Sequence, residues 1–403
     1  MKQLTFKIVL VLFFFCYQGS ELCGKVINQD KKIKINDEIS LFEELAGVKK
    51  KTDKLNLFID MHSSFDMSFN KGFQKGTFGM RECRLEARGF LTNWLSYRFR
   101  QKLNSSNDGS NQMDRMPSSI DVAFLSLKLS NRVSLTLGKQ FAAFGGIEFD
   151  LNPIEVYEYS DMIDHSIGFM TGAMVSILVA PQQILNIQIL NNRDFREIID
   201  QYGVDVEDSK MPFAYTLNWN GKFSDYFSPR WSISYMDEAK KKNMYFLSLG
   251  NQFELGSFGG YFDFMYSKED LDQKGIVNSI INKNLSEDDV FLNLGAEYLS
   301  YVLELNYQIK KKWNVFVKGS YETARLGKEF IKEGRELDKG EYRATYGYSS
   351  GLEYYPFDES NLHFFLTYVG KSHRYTSLSK KLGWENDCAS RVSLGFIYHL
   401  PLF

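Results

Sequence analysis

Few residues here suit catalysis. Only four cysteines occur in 403 residues. Cys16 and Cys23 fall in or beside an N-terminal leader, leaving Cys83 and Cys388, too few for a disulfide framework. Five histidines occur, His62, His165, His363, His373 and His399. None sits in a Gly-x-Ser-x-Gly nucleophile motif or a His-x-x-x-His pair, and the chain has no Cys-x-x-Cys pair or glycine-rich phosphate cradle. These absences argue against an enzyme and imply no cofactor and no resident metal. A net charge of −2 excludes a generally basic nucleic-acid binder. After the leader, no apolar run approaches the roughly 20 residues of a membrane helix, and mean hydropathy is −0.30.

The leader itself reads as a secretory signal. Lys2 and Lys7 precede the apolar run Ile8 to Cys16, and Gln18-Gly19-Ser20 is a small-residue exit. The signal is placed at 1–20, with cleavage as late as about residue 24. An exported chain without helical spans is either soluble or a closed barrel, the remaining way to satisfy a backbone in lipid. Residues 21–54 form a charged periplasmic segment in which Ile39, Phe42, Leu45 and Val48 are spaced as on a helix.

From Asn56 onward one pattern repeats. Leu57, Ile59, Met61, Phe65 and Met67 alternate with Asp60, His62, Ser64 and Asp66; Leu299, Tyr301, Leu303, Leu305 and Tyr307 alternate with Ser300, Glu304, Asn306 and Gln308. Period two with one apolar and one polar face suits a wall with lipid outside and water inside. At the C-terminus Val392, Leu394, Phe396, Tyr398 and Leu400 oppose Arg391, Ser393, Gly395 and His399, and the strand stops on Phe403. Sixteen such segments are read, starting near 56, 79, 94, 119, 132, 167, 183, 211, 229, 243, 257, 297, 313, 342, 361 and 390. Short connections, as at Thr92-Asn93 and Pro181-Gln182, alternate with long ones at 104–118, 141–166, 191–210, 268–296, 325–341 and 372–389. The expected fold is an all-β, sixteen-stranded antiparallel transmembrane barrel over 55–403, with short periplasmic turns and long outer loops. Its lining includes His62 and His363, while His399 is placed at the interface. The terminal strand ending at Phe403 makes the barrel-assembly machinery an expected partner, along with outer-membrane lipid.

Several local strings carry a resemblance. Arg84-Leu85-Glu86-Ala87-Arg88-Gly89 is followed by Leu95-Ser96-Tyr97-Arg98-Phe99-Arg100-Gln101. Leu137-Gly138-Lys139-Gln140 leads to Phe144-Gly145-Gly146, to Glu148-Phe149-Asp150-Leu151-Asn152-Pro153 and to Val156-Tyr157-Glu158-Tyr159-Ser160-Asp161. Together they resemble the phosphate-selective porin O and P family in the version common among Bacteroidetes-type bacteria. The resemblance implies passive diffusion of small hydrophilic solutes and ions, phosphate included, across the outer membrane of a Gram-negative bacterium. It also implies a homotrimer and an inward-folded third loop. A structural or adhesin-type barrel acting through its long loops is the alternative.

In the family, anion selectivity rests on inward rows of arginine and on lysine clusters. Arg84, Arg88, Arg98, Arg100 and Lys102 share the lumen parity here and form the candidate basic wall. Parity requires opposed residues to sum to an even number, so 184 or 186 sets Glu86 opposite Arg98 or Arg100. A working anion ladder and a wall of satisfied ion pairs both fit. The third loop carries Glu148, Asp150, Glu155, Glu158, Asp161 and Asp164 and no Lys or Arg between Phe141 and Asp164. These carboxylates either set a field across a constriction or pin the loop to the wall through Arg84, Arg98 and Arg100. A third reading gives Asp150, Asn152 and Glu155 to a divalent cation.

Overall fold

The computed structural model describes residues 40–47, 53–105, 117–192, 202–203, 206–285, 290–332 and 335–403. The expected secretory signal lies outside them, as do Ile39 and Val48. Eighteen strands are described: β1 (Asn56–Asn70), β2 (Phe73–Phe90), β3 (Leu95–Lys102), β4 (Ile120–Lys128), β5 (Val133–Phe141), β6 (Phe169–Ala180), β7 (Gln183–Asn191), β8 (Phe213–Gly221), β9 (Phe227–Ala239), β10 (Lys242–Leu255), β11 (Phe258–Glu269), β12 (Ala296–Lys310), β13 (Trp313–Leu326), β14 (Phe330–Lys332), β15 (Arg335–Leu337), β16 (Gly340–Tyr354), β17 (His363–Tyr375) and β18 (Asp387–Pro401). All but the small hairpin β14–β15 close into one antiparallel barrel of sixteen, sealed where β18 pairs with β1 from Phe58↔Pro401 to Asn70↔Ala389. Closure removes the open edge that lipid would otherwise leave unsatisfied.

The apolar parity faces outward. Leu217, Ile233, Leu303, Val317, Leu366 and Leu394 are exposed, whereas Ser234, Ser248, Ser300 and Thr367 on the other parity are buried inside. Outward aromatics gather in two belts, as expected where ring and headgroup meet. Near the short turns Trp219 stands 5.2 Å from Trp231, and Trp313 stands 4.6 Å from Tyr354. Toward the long loops Tyr235 lies 5.5 Å from Tyr245, and Tyr321 lies 5.2 Å from Tyr346.

Strand starts fall within three residues of expectation except in β2, which begins at Phe73 rather than near 79. Gly76 and Gly79 look like a connection in sequence. The chain has already turned at Lys71-Gly72, whose φ values of 52° and 136° make a tight hairpin, and it pairs again at Phe69↔Phe73. A second outer connection, Lys240-Lys241, is equally tight, with Lys241 at φ 62°. Short and long connections therefore alternate except at these two hairpins.

The segment before the barrel holds one short helix, Leu41–Ala46, with a capping box. Glu43 N–H donates to Ser40 Oγ at 3.2 Å, Ser40 N–H to Glu43 Oε2 at 3.1 Å, and Gly47 ends the helix at φ 63°. Six residues are too few to hold a helix alone in water. It is anchored by Phe42, whose N–H donates to Leu402 O at 3.0 Å and whose ring lies 4.9 Å from Phe403.

Candidate pore constriction

The third outer connection leaves β5 at Phe141, crosses the lumen and returns at Phe169. Its path is fixed by backbone amides held by wall side chains. Ala143 N–H donates to Gln188 Oε1 at 2.7 Å and Gly145 N–H to Ser232 Oγ at 2.6 Å. Ile147 and Glu148 N–H share the two oxygens of Asp263 at 2.8 and 2.9 Å, and Asp161 and Met162 N–H share those of Glu322 at 2.7 and 2.9 Å. Gly145 must be glycine, since a Cβ would stand 2.6 Å from Ser232 N and 2.7 Å from Ser248 O. At the far wall His62 Nδ1 meets Ile154 O at 2.8 Å, and Tyr157 donates to Glu353 Oε1 at 2.9 Å while stacking 5.0 Å from Phe316.

The loop carboxylates meet cations, though not those expected. Asp150 pairs with Arg230 at 2.7 Å, Glu148 with Lys318, and Glu158 with Lys371 and Arg391, both at 3.2 Å. Asp161 accepts from Arg343 at 2.6 Å, Lys371 at 3.1 Å and Thr345 at 3.1 Å. Burial alone would raise the Asp161 carboxyl; Lys371 and Arg343 outweigh it and hold the group below its ordinary value. Glu155 faces His363 at 3.9 Å. Asp164 is exposed at the loop's return, without an ion pair among the described residues. The pinning cations thus stand on β9, β13, β16, β17 and β18, so pinning through Arg84, Arg98 and Arg100 is not what holds the loop. With Asp150 taken by Arg230, the divalent-cation reading loses one of its three ligands.

Those three arginines find carboxylates on their own wall. The β2–β3 register is 186, with Arg84↔Lys102, Glu86↔Arg100 and Arg88↔Arg98 opposed. Glu86 bridges Arg98 at 3.0 Å and Arg88 at 3.3 Å; Glu82 takes Arg84 at 3.0 Å and Lys102 at 3.1 Å. Asp121, at the β3–β4 register shift, takes Arg84 at 3.4 Å and Arg100 at 3.3 Å. Arg100 also lies 5.0 Å over the Phe141 ring, where the loop begins. Glu82 and Asp121 escaped the sequence reading, although Glu82 shares the parity of Arg84. Lys318, Arg343, Lys371 and Arg391 were equally findable on lumen parity; His399, placed at the interface, is buried inside against Asp60.

Solvent reaches a cationic set and an anionic set. Side chains of Arg88, Arg98 and Lys102 are 30 %, 29 % and 29 % exposed, and those of Asp150, Glu155 and Glu158 are 30 %, 26 % and 29 %. The outer half of the lumen beside β9–β13 is filled instead. The loop after β11, expected to look outward, turns in over its described residues 270–285 and 290–295 and buries Ile276, Val277, Ile280, Ile281 and Leu294 in one apolar cluster with Phe144, Ile147 and Met162 of the third loop. Glu238 receives Asp270 and Leu271 N–H at 3.1 and 3.0 Å, and Asp272 receives Gly275 and Asn278 N–H at 3.0 and 2.7 Å. Trp384 Nε1–H donates to Ile280 O at 2.8 Å, tying this loop to the one at 376–386.

A sixteen-stranded barrel with a loop strapped across its lumen and charges left in contact with water is a porin, a passive pore of the Gram-negative outer membrane. The sequence profile of the family "Phosphate-selective porin O and P" matches residues 55–400, and the chain belongs to that family. Solved porins share the fold. An anion-selective porin from Comamonas acidovorans, 9 % identical over 86 % of this chain and 99 % of its own, gives a TM-score of 0.55. OmpF of Salmonella typhi, in complex with daunomycin, is 13 % identical over 87 % and 99 % of the two chains, at 0.52. OmpT of Vibrio cholerae, folded in vitro, is 12 % identical over 87 % and 98 %, at 0.52. Among curated proteins none matches.

Proposed function

We propose that this porin passes small hydrophilic solutes with a weak preference for anions, phosphate among them. The supporting observation is the charge balance of one ion-pair network on the β2–β4 arc: five cations, Arg84, Arg88, Arg98, Arg100 and Lys102, share three carboxylates, Glu82, Glu86 and Asp121, while the neighbouring Arg81 is matched by Asp66 of β1. The loop's carboxylates are more nearly balanced, since all but Asp164 stand against a wall cation or His363. Two net positive charges therefore remain where Arg88, Arg98 and Lys102 meet water, and charged groups at a constriction decide ion preference. The test is the reversal potential of single channels under a salt gradient; a cation-selective sign at low salt overturns the proposal. The adhesin alternative is weakened because the loop after β11 turns Ile276, Val277, Ile280, Ile281 and Leu294 inside.

The proposal includes a homotrimer, with assembly through the barrel machinery and the strand ending at Phe403. Support comes from the exposed apolar side chains Phe73, Phe78 and Met80 on the outer face of β2. It also includes the division into a signal at 1–20, a periplasmic segment at 21–54 and the barrel from 55.

A further inference from the structure

A hollow of about 380 Å³ lies at the loop-bearing rim, lined by Phe69, Lys71, Arg374, Asn386, Asp387, Cys388 and Ser390. Parity places it on the outside of the barrel. Arg374 shares its face of β17 with the exposed Phe364, Leu366 and Tyr368, while Cys388 and Ser390 share theirs with Leu394. Directly beneath, the register stacks two outward rows, Met67↔Val392↔Tyr368 and Phe65↔Leu394↔Leu366. An apolar track thus descends from the hollow along the lipid face.

Two cations flank the hollow. Lys71 and Arg374 are exposed, and neither has an ion pair or side-chain hydrogen bond within the described residues. Asp387 is the single carboxylate in the lining, and it stands opposite His373 across the β17–β18 pair. Asn386 Oδ1 already accepts Tyr375 N–H at 2.9 Å, leaving its amide N–H groups as donors. The rim therefore offers two unpaired cations and neutral donors above an apolar track, at the height where outer-leaflet headgroups lie. Basic pockets at a membrane surface take anionic headgroups, and a guanidinium suits phosphate by geometry.

We infer that this hollow binds the phosphorylated headgroup of an outer-leaflet lipid, with Lys71 and Arg374 closing on phosphate and the acyl chains lying along Met67, Val392 and Leu366. The full chain, purified free of native lipid in detergent, would be titrated with diphosphorylated lipid A, with the same lipid after enzymatic dephosphorylation, and with inorganic phosphate. Bound lipid would be read by native mass spectrometry. Lipid A should bind the wild type, and the double variant Lys71→Gln/Arg374→Gln should bind it roughly thirty-fold more weakly, the loss expected for two surface charges. Arg374→Lys should keep most of the affinity, and Lys311→Gln at the opposite rim should keep all of it. Unchanged conductance and unchanged heat-modifiable mobility in gels report that the double variant is folded. Equal binding by wild type and double variant overturns the inference. So does equal binding of dephosphorylated lipid, which leaves only a greasy groove, or displacement of lipid A by inorganic phosphate alone, which makes the site one for free anions.

Discussion

Replacing Arg88 and Arg98 together by glutamine takes the β2–β4 arc from five cations against three carboxylates to three against three. The buried Glu86 loses its ion pairs to Arg88 and Arg98 and keeps only Arg100 opposite it in the ladder, so heat-modifiable gel mobility must first show that the double variant is folded. The size of the effect follows from Coulomb's law. A unit charge roughly 8 Å from a permeating ion in water is worth about 0.5 kcal/mol. At 0.1 M salt, with a Debye length of about 10 Å, about 0.23 kcal/mol of that survives. Two lost charges then disfavour an anion by about 0.5 kcal/mol and favour a cation equally, so the anion-to-cation permeability ratio should fall roughly fivefold. At 1 M, where the Debye length is about 3 Å, the same substitution should change the ratio only about 1.3-fold. Reversal potentials in planar bilayers under a fixed gradient, at both mean salt levels, read this directly. A fall of less than about twofold at 0.1 M, or one as large at 1 M, would refute the account of the arc as a screened field at the water interface.

Asp161→Asn removes charge from a buried anchor that Arg343 and Lys371 share, at a cost of roughly 2 kcal/mol. Single channels should show new conductance fluctuations, and a quiet trace like that of the wild type would refute the anchoring role. The Asp161 carboxyl is held below its ordinary value, so the stability it gives is complete above the unfolded pKa of about 3.9 and is lost as pH falls through the lower folded value. Conductance should therefore stay constant from pH 7 to about pH 4 and become unsteady only in stronger acid; an onset near pH 6 would point to another group. Leu303→Arg puts a charge into lipid beside Phe262 and should cost about 2–4 kcal/mol in resistance to unfolding, whereas Asn306→Arg, on lumen parity, should fold and alter conductance; equal yields of folded protein from both would contradict the facing. In a Cys83→Ser/Cys388→Ser background, Lys241→Cys should be labelled by an impermeant reagent on intact cells and Lys311→Cys should not; the reverse pattern would invert the barrel.

The barrel was legible because lipid imposes a constraint that acts residue by residue. Leu303 must differ from Val302 in facing, whatever the loops do, and that demand leaves period two in the sequence. Register was half legible for the same reason: parity allowed sums of 184 or 186 for β2 and β3, and 186 is observed. Turns were less visible. Lys71-Gly72 and Lys240-Lys241 carry little of the usual turn vocabulary, and the glycines after the first of them imitated a loop.

The site was legible in its residues but not in its pairings, and the reason is geometric. A strand fixes the neighbours of its side chains through the ladder, so the partners of Arg98 are drawn from adjacent strands, and Glu86 is among them. A loop of more than twenty residues inside a barrel can reach any strand. Nothing in the spacing of Glu148, Glu158 and Asp161 says that they meet Lys318, Arg391 and Arg343 on the far wall. What could have been read is the supply of cations: Arg343, Lys371 and Arg391 sit on the lumen parity of three neighbouring strands, and a lumen-facing charge in lipid-bounded surroundings needs a counter-charge. The acidic loop is the large unpaired reservoir of that sign. Matching those two inventories, rather than matching the loop to the arginines nearest in sequence, leads to the observed strap and leaves the β2–β4 arc with its excess of two cations.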